Sequence, residues 1–332
     1  MKLSFINVWF IGLLLFTSCL KDKESEPGEV EIEEEVLIKA MDAKRSMEIS
    51  RFFVSETEIE DVYPGKIVKF IGEGEEYNFE GFNDYKKLPI VTSSMRQKRG
   101  SFYGMPTFKN TSEFIRDNIS MNGGGISLAF QSWQKFLDFH SLNMFLENRL
   151  EREKFYEILS DYTEVKTSLY YSLINNKFEI TMDLPNEADL ISIIERRRIK
   201  KRNLKIYYIN QVTYGDFLFL VGQSQFKKEV FQPILVRVTQ NEALTADEIK
   251  VLDQSSLSVY LRSSNRKESL IKNAKGSKAI LNLVKEYNDL LNTKEEKNEY
   301  PLHFTLSDLQ SHDMLMHKFD YKFKVDANDN YN

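Results

Sequence analysis

Cysteine is nearly absent from this sequence, whose 332 residues contain only Cys19. No intramolecular disulfide can form, so a body facing an oxidising exterior must rely on packing alone. Histidine is also scarce. The four, His140, His303, His312 and His317, show no metal-helix spacing, and no second cysteine completes a zinc site. Beyond residue 16 no stretch approaches the about 20 apolar residues that a spanning helix needs. Excess positive charge is missing too, and a net charge of −5 argues against a nucleic-acid partner.

Motifs that would mark chemistry stop short. Gly222-Gln223-Ser224-Gln225 opens like a nucleophile elbow, but Phe226 stands where the second glycine is required. Acids follow Gly72-Glu73-Gly74, where they would repel a phosphate. Asp326, Asn328, Asp329 and Asn330 lack the glycine and terminal glutamate of a calcium loop. The sequence reads as a non-enzyme, with no metal site and no cofactor.

What is present begins at the amino end. Lys2 and the apolar run Val8–Phe16 precede Phe16-Thr17-Ser18-Cys19, the pattern of a lipoprotein signal whose processing leaves an acylated cysteine. Residues 1–18 are thus expected to be removed and Cys19 to carry the lipid, palmitate-type chains that hold a protein on a bilayer far better than one chain would. Leu20, where inner-membrane retention would place Asp, points to the outer membrane. Residues 19–39 hold Glu24 and Glu33-Glu34-Glu35 and read as an acidic, flexible leash. Acidic tracts of this kind also resemble surface-export signals, which favours the cell surface.

The chain as a whole is 42% hydrophobic and 13% aromatic, and the remaining body, residues 40–326 before a polar tail (327–332), is long enough for a real core. Tyr63-Pro64-Gly65 followed by Ile67, Val68 and Phe70 reads as a turn and strand, and Leu88–Val91 as a short extended piece. From Ser112 to Tyr162 the spacing is helical, broken at Gly123-Gly124-Gly125, with Phe130, Trp133 and Leu137 on one stripe. Strands are expected over Ser168–Asp183, over Leu204–Val221 as two strands or one bent one, and over Leu257–Leu261. A charged helix follows, with Ile280, Val284, Tyr287 and Leu291 at helical spacing, then strands at Leu302–Leu306 and Phe319–Val325. The basic run Arg196-Arg197-Arg198 and Lys200-Lys201-Arg202 is either a solvated helix face or a site for anionic headgroups.

Four segments in order carry a resemblance: Tyr63-Pro64-Gly65 with Leu88-Pro89-Ile90; Ile206–Leu220 around Val212-Thr213-Tyr214-Gly215; Val251-Leu252-Asp253 leading to Leu257–Leu261; and Tyr300-Pro301-Leu302-His303-Phe304-Thr305 with Leu309. Together, over residues 55 to 323, they resemble the cholesterol-dependent (thiol-activated) cytolysins and their relatives in the perforin-like superfamily. The resemblance implies an α+β fold. Its features would be a bent, twisted antiparallel sheet, flanking helical clusters that unfurl into membrane hairpins, and an elongated β connector. It also implies a bend at Gly215, where a Cβ would obstruct the strand.

Three departures accompany it. The expectation is a body without the family's carboxy-terminal membrane-recognition domain. Ser263-Ser264 stand at the family's glycine hinge. The hairpin reserves, sought at Tyr162–Asp183 and Ser269–Asn292, read as too short and as a charged helix. Tyr207, Tyr208, Tyr214, Gly215, Leu257, Val259 and Leu261 are the expected partner-strand edge and bend. The expected partners are the membrane, through the lipid, and cytolysin-like toxin subunits, through strand-edge pairing that blocks pore assembly and protects the producing cell. Two alternatives stay open: a pore-forming component, and an accessory lipoprotein binding glycans or other surface ligands through aromatics such as Tyr77 or Tyr103.

Overall fold

The computed structural model describes residues 40–73, 76–81, 87–94, 100–118, 126–136, 149–159, 165–183, 190–292 and 298–326. Cys19, the signal, the leash, the tail, His140 and the Gly123-Gly124-Gly125 break lie outside the described residues.

In chain order the strands are β1 (Ala40–Ile49), β2 (Phe52–Phe53), β3 (Ile67–Glu73), β4 (Glu76–Gly81), β5 (Ile90–Ser94), β6 (Ser101–Gly104) and β7 (Ile126–Lys135). They continue as β8 (Thr167–Met182), β9 (Tyr207–Ser224), β10 (Ser255–Ser263), β11 (Leu270–Lys275), β12 (His303–Asp308) and β13 (His317–Asp326). The helices are α1 (Phe108–Asn118), α2 (Arg149–Ile158), α3 (Ile193–Arg202), α4 (Lys228–Thr239), α5 (Ala246–Asp253) and α6 (Ser277–Leu291).

Strand β9 organises the fold because its run of aromatic and β-branched residues suits a pleat covered on both sides. Its carboxy-terminal half pairs antiparallel with β8 on one side and β10 on the other. In its amino-terminal half β12 takes the place of β10, and on the other side β3 takes over from β8 at Tyr207 and Tyr208. Across the upper half the order is β7-β8-β9-β10-β11, all antiparallel.

Both faces of that upper half are covered by helices. Leu218 and Leu220 point into a cluster with Phe231, Leu235, Leu252, Ile280 and Val284 from α4, α5 and α6. Phe217, Phe219 and Val221 point the other way, against Phe155 of α2 and Tyr260. Each such side chain contributes about 1.5–3 kcal/mol by leaving water. Lower down, Tyr207, Ile209, Val212 and Tyr214 share one cluster. Their phase shifts between Ile209 and Val212, where β12 carries a register irregularity at Thr305/Leu306, a β-bulge that re-aims side chains. β1 and β13 form a separate antiparallel ribbon from Ala40↔Asp326 to Ile49↔His317, the elongated β element that the resemblance implied.

Helix ends follow their sequence signals. Thr245 and Glu248 form a capping box on α5, at 3.3 and 2.7 Å, satisfying two otherwise orphaned amides. Ser192 caps α3, and Asn203 closes it in the left-handed region at φ 52°.

Several expectations are corrected. Of the two alternatives for Leu204–Val221 the single strand holds, but it starts at Tyr207 and runs on to Ser224, leaving 204–206 outside it. Trp133 lies in strand β7, with a register shift against β8 between Phe130 and Gln134. The helix-linked connections between sheet neighbours run from Phe136 to Lys166, joining β7 to β8, and from Gln225 to Gln254, joining β9 to β10. Tyr162–Asp183 is mainly β8, and Ser269–Asn292 is β11 with α6.

Candidate functional site

The expected bend position of β9 is Gly215, where a Cβ would collide with the carbonyl oxygen of Asn175 on β8. Opposite this point the β8–β9 register shifts between Asn176 and Phe178, leaving Lys177 as an extra residue. That bulge sends Lys177 Nζ to Asp216 Oδ2 at 3.2 Å, with the two side chains only 9% and 3% exposed. Asp216 Oδ1 accepts the Ser263 hydroxyl at 2.5 Å, and Asn175 Nδ2 lies 3.5 Å from Oδ2. One buried carboxylate therefore gathers β8, β9 and the end of β10 around Gly215.

Ser263 and Ser264 sit where the family resemblance placed a glycine hinge, and both are buried. Ser264 Oγ accepts the Gly215 amide at 2.6 Å, and the Ser264 amide donates to the Gly215 carbonyl at 2.8 Å. Beyond them the turn is held from other elements. The Arg262 guanidinium donates to the Lys267 carbonyl, Glu56 accepts the Ser269 amide at 2.7 Å, and the Tyr300 amide donates to Ser264 O at 3.0 Å. Asn265 Oδ1 accepts the Asn298 amide at 2.9 Å. Where glycines would leave backbone freedom, two hydroxyls fasten the turn to the middle of the sheet.

The turn leads into β11, which covers β10 from Leu261↔Leu270 to Ser256↔Lys275. Asn273 Nδ2 donates across this pair to Ser258 Oγ at 2.7 Å. Behind β11, Lys272 pairs with Glu286 of α6 at 2.6 Å, and Asp253 Oδ1 accepts from the amide and hydroxyl of Ser277 at 3.1 and 2.5 Å. Those two bonds hold the Asp253 carboxyl below its ordinary range.

The two outer edges of the upper sheet differ. Among the described residues, β7 pairs only with β8; it is 10 residues long, contains no proline and has Lys135 as its one charge. β11 is 6 residues long, with Lys272 and Lys275 exposed, the short charged form that discourages further pairing.

The sequence-derived edge residues fall elsewhere. Tyr207, Tyr208, Tyr214, Gly215, Leu257, Val259 and Leu261 lie on β9 and β10, which have neighbours on both sides, and the six with side chains are buried. They are interior residues because β8, β12 and β11 occupy the edges they were expected to present. Tyr214 stacks on Phe178 at 4.7 Å, and burial pushes its hydroxyl pKa upward. Gly215, Ser263 and Ser264 do come together. Lys177 and Asp216 were missed, although an aspartate directly before the apolar run Phe217–Val221 of a central strand is itself a signal of a partner. Tyr103 is 71% exposed on β6; Tyr77 lies on β4 opposite Gly72.

No family model and no curated sequence matches this chain. Solved toxin structures do. A non-hemolytic pneumolysin from Streptococcus pneumoniae strain ST306 superimposes with a TM-score of 0.62 at 12% identity over 86% of this chain and 64% of its own. Listeriolysin O gives 0.60 at 12% over 86% and 63%. The human-specific toxin intermedilysin gives 0.60 at 14% over 86% and 64%. This chain thus spans about 64% of the length of the first of these toxins. At such identities the likeness concerns architecture: over most of its length the chain has the fold of the cholesterol-dependent cytolysins.

Proposed function

We propose that this protein is a surface lipoprotein of the outer membrane, anchored through acylated Cys19, which joins the growing assembly of a related pore-forming toxin and terminates it, protecting the cell that makes it. The observation that carries the reading is the asymmetry of the sheet. Among the described residues one edge of β7 has no strand paired to it, and an open edge is a template for strand addition. β10 is closed by β11, whose turn is fastened by Ser263 and Ser264. A subunit that accepts a neighbour on one side and offers none on the other ends a ring.

A second argument concerns insertion. The connections 136–166 and 225–254 are long enough for two membrane strands of about 9–11 residues each, so length does not prevent conversion. Composition opposes it. A barrel strand needs alternate positions to be apolar, but Arg149, Glu151 and Glu153 fall on one parity of α2 and Arg152 and Lys154 on the other. In α5, Asp247 and Glu248 likewise occupy both parities, and Pro233 of α4 could not donate to a strand ladder. The lengths are what favour the alternative reading, a pore-forming component.

The test is leakage from liposomes treated with a cognate cytolysin-fold toxin while this chain is titrated in. Capping gives inhibition at far less than one copy per toxin subunit and incomplete arcs by electron microscopy. Of Ser127→Pro and Leu128→Pro in β7, one removes an outward amide and should abolish inhibition while the fold is retained. Leakage caused by the chain alone would select the pore-forming reading, and inhibition that survives both proline variants would remove β7 from the mechanism.

A further inference from the structure

Helix α3 turns an unusual face outward. At 100° per residue, positions 193, 194, 197, 198 and 201 share one side. Ile193 and Ile194 there are 52% and 67% exposed, and Arg197, Arg198 and Lys201 are exposed with them. Lys200 and Arg202 extend the charge at the margins. Ile199 faces the opposite way and is fully buried. The helix's one acid, Glu195, is partly buried and off the outward side.

Arg196 joins this helix to the loop after β12. Its guanidinium lies 3.1 Å from His312 Nε2, and His312 Nδ1 lies 3.2 Å from the Tyr208 hydroxyl. The same loop exposes Met314 and Met316, at 48% and 46%. Asp308 is occupied at the base of the loop, accepting the Gln310 and Ser311 amides at 2.7 and 2.9 Å. Asp313 is the exposed acid beside the methionines.

Single exposed aliphatics are ordinary, but two large ones sharing a helix side with three exposed cations, and two more cations at its margins, are not. We propose that the outward side of α3 is a docking face for an anionic bilayer surface, with the cations at phosphate level and Ile193 and Ile194 entering the headgroup boundary. An acidic protein would answer the charge alone. The side-by-side arrangement of aliphatic tips and lysine or arginine heads is the composition of an interfacial element. The ten-residue helix lies on such a surface and does not cross it. This inference rests on α3 and not on the capping mechanism.

The experiment uses the full chain with Cys19→Ser, which removes acylation, and phosphatidylcholine vesicles with and without phosphatidylglycerol. The amino-terminal segment is common to all variants, so its own affinity cancels. At about fivefold per cation near an anionic surface, phosphatidylglycerol should raise partitioning at least tenfold. Arg197→Glu with Lys201→Glu should return it to the phosphatidylcholine level, and Ile193→Ser with Ile194→Ser should lower it severalfold. Should either glutamate substitution disturb the thermal midpoint, Arg197→Gln with Lys201→Gln supplies the same comparison. Equal partitioning into both vesicle types, or no response to the charge variants, would overturn the proposal. So would binding of poly-glutamate that depends on the cations, ignores the isoleucines and is accompanied by no preference for phosphatidylglycerol, since that result assigns the face to an acidic protein.

Discussion

Ser264 Oγ receives the Gly215 amide at 2.6 Å, tying the turn that follows β10 to β9. The bond is buried at both ends, so its loss leaves an amide without an acceptor in a dry site, at a cost of about 1–3 kcal/mol. Ser264→Ala should lower unfolding stability by that amount in urea titrations. The double change Ser263→Gly with Ser264→Gly adds backbone freedom and should speed amide exchange across Leu270–Lys275 at least tenfold while leaving β8 protected. It should also weaken toxin inhibition, because β11 would release β10. Unchanged exchange in β11 would show that the serines do not fasten it.

Gly215 is a glycine because of contact, not because of torsion. Its φ is not among the positive values, and the obstacle is the Asn175 carbonyl. Backbone cannot rotate aside as a side chain does, so Gly215→Ala should cost about 2 kcal/mol or more and Gly215→Val should fail to fold. A stability for Gly215→Ala within error of the parent would mean that β8 and β9 separate easily here. Since Tyr214 and Gly215 are interior, loss of protection in variants at either position reports on the scaffold and not on a partner surface.

Asp216 follows Gly215 directly. Its carboxylate serves Lys177 and Ser263 at 3.2 and 2.5 Å, both in a buried setting. Removing one member of such a pair costs about 3–5 kcal/mol, because the other charge stays buried without its counter-ion. Asp216→Asn should therefore destabilise strongly, and Asp216→Asn with Lys177→Met should recover much of the loss in equilibrium unfolding. If the double variant is no better than the single one, the ion pair is not the source of the effect.

How far the sequence revealed this structure depended on whether pattern and environment agreed. The β9 run has no helical period and no competing signal, so the strand was legible, as was the need for a glycine at 215. β7 was not, because Phe130 and Trp133 are three apart and imitate a helix stripe. The α4 connection was obscured for the opposite reason. Pro233 discourages a helix, and Ile234, Val236 and Val238 alternate like a strand, yet packing of Phe231, Ile234, Leu235 and Val238 on the sheet overrides both signals. The covering of β10 by β11 is a pairing choice, and side-chain periodicity identifies strands without saying which of them stand at an edge.

His303 gives the fold an acid limit. Its ring lies on β12 between Thr213 and Phe53 in register, 5.8 Å from the Phe53 ring in an edge-on arrangement. Burial, aided by the Arg51 charge, pushes its pKa down to about 3. In the unfolded chain the imidazole takes up a proton below about 6.5, whereas in the folded chain it does so only near pH 3. Protons therefore favour unfolding across that window, and stability should fall from pH 6.5 towards pH 3 by a few kcal/mol, at about 1.4 kcal/mol per pKa unit. Above pH 7 this contribution is flat. His303→Phe keeps a ring of similar shape and removes the titration, so its urea midpoint should lose much less than the parent's between pH 7 and pH 4.5. Parallel losses in both proteins would place the acid sensitivity in the carboxylates and not in His303.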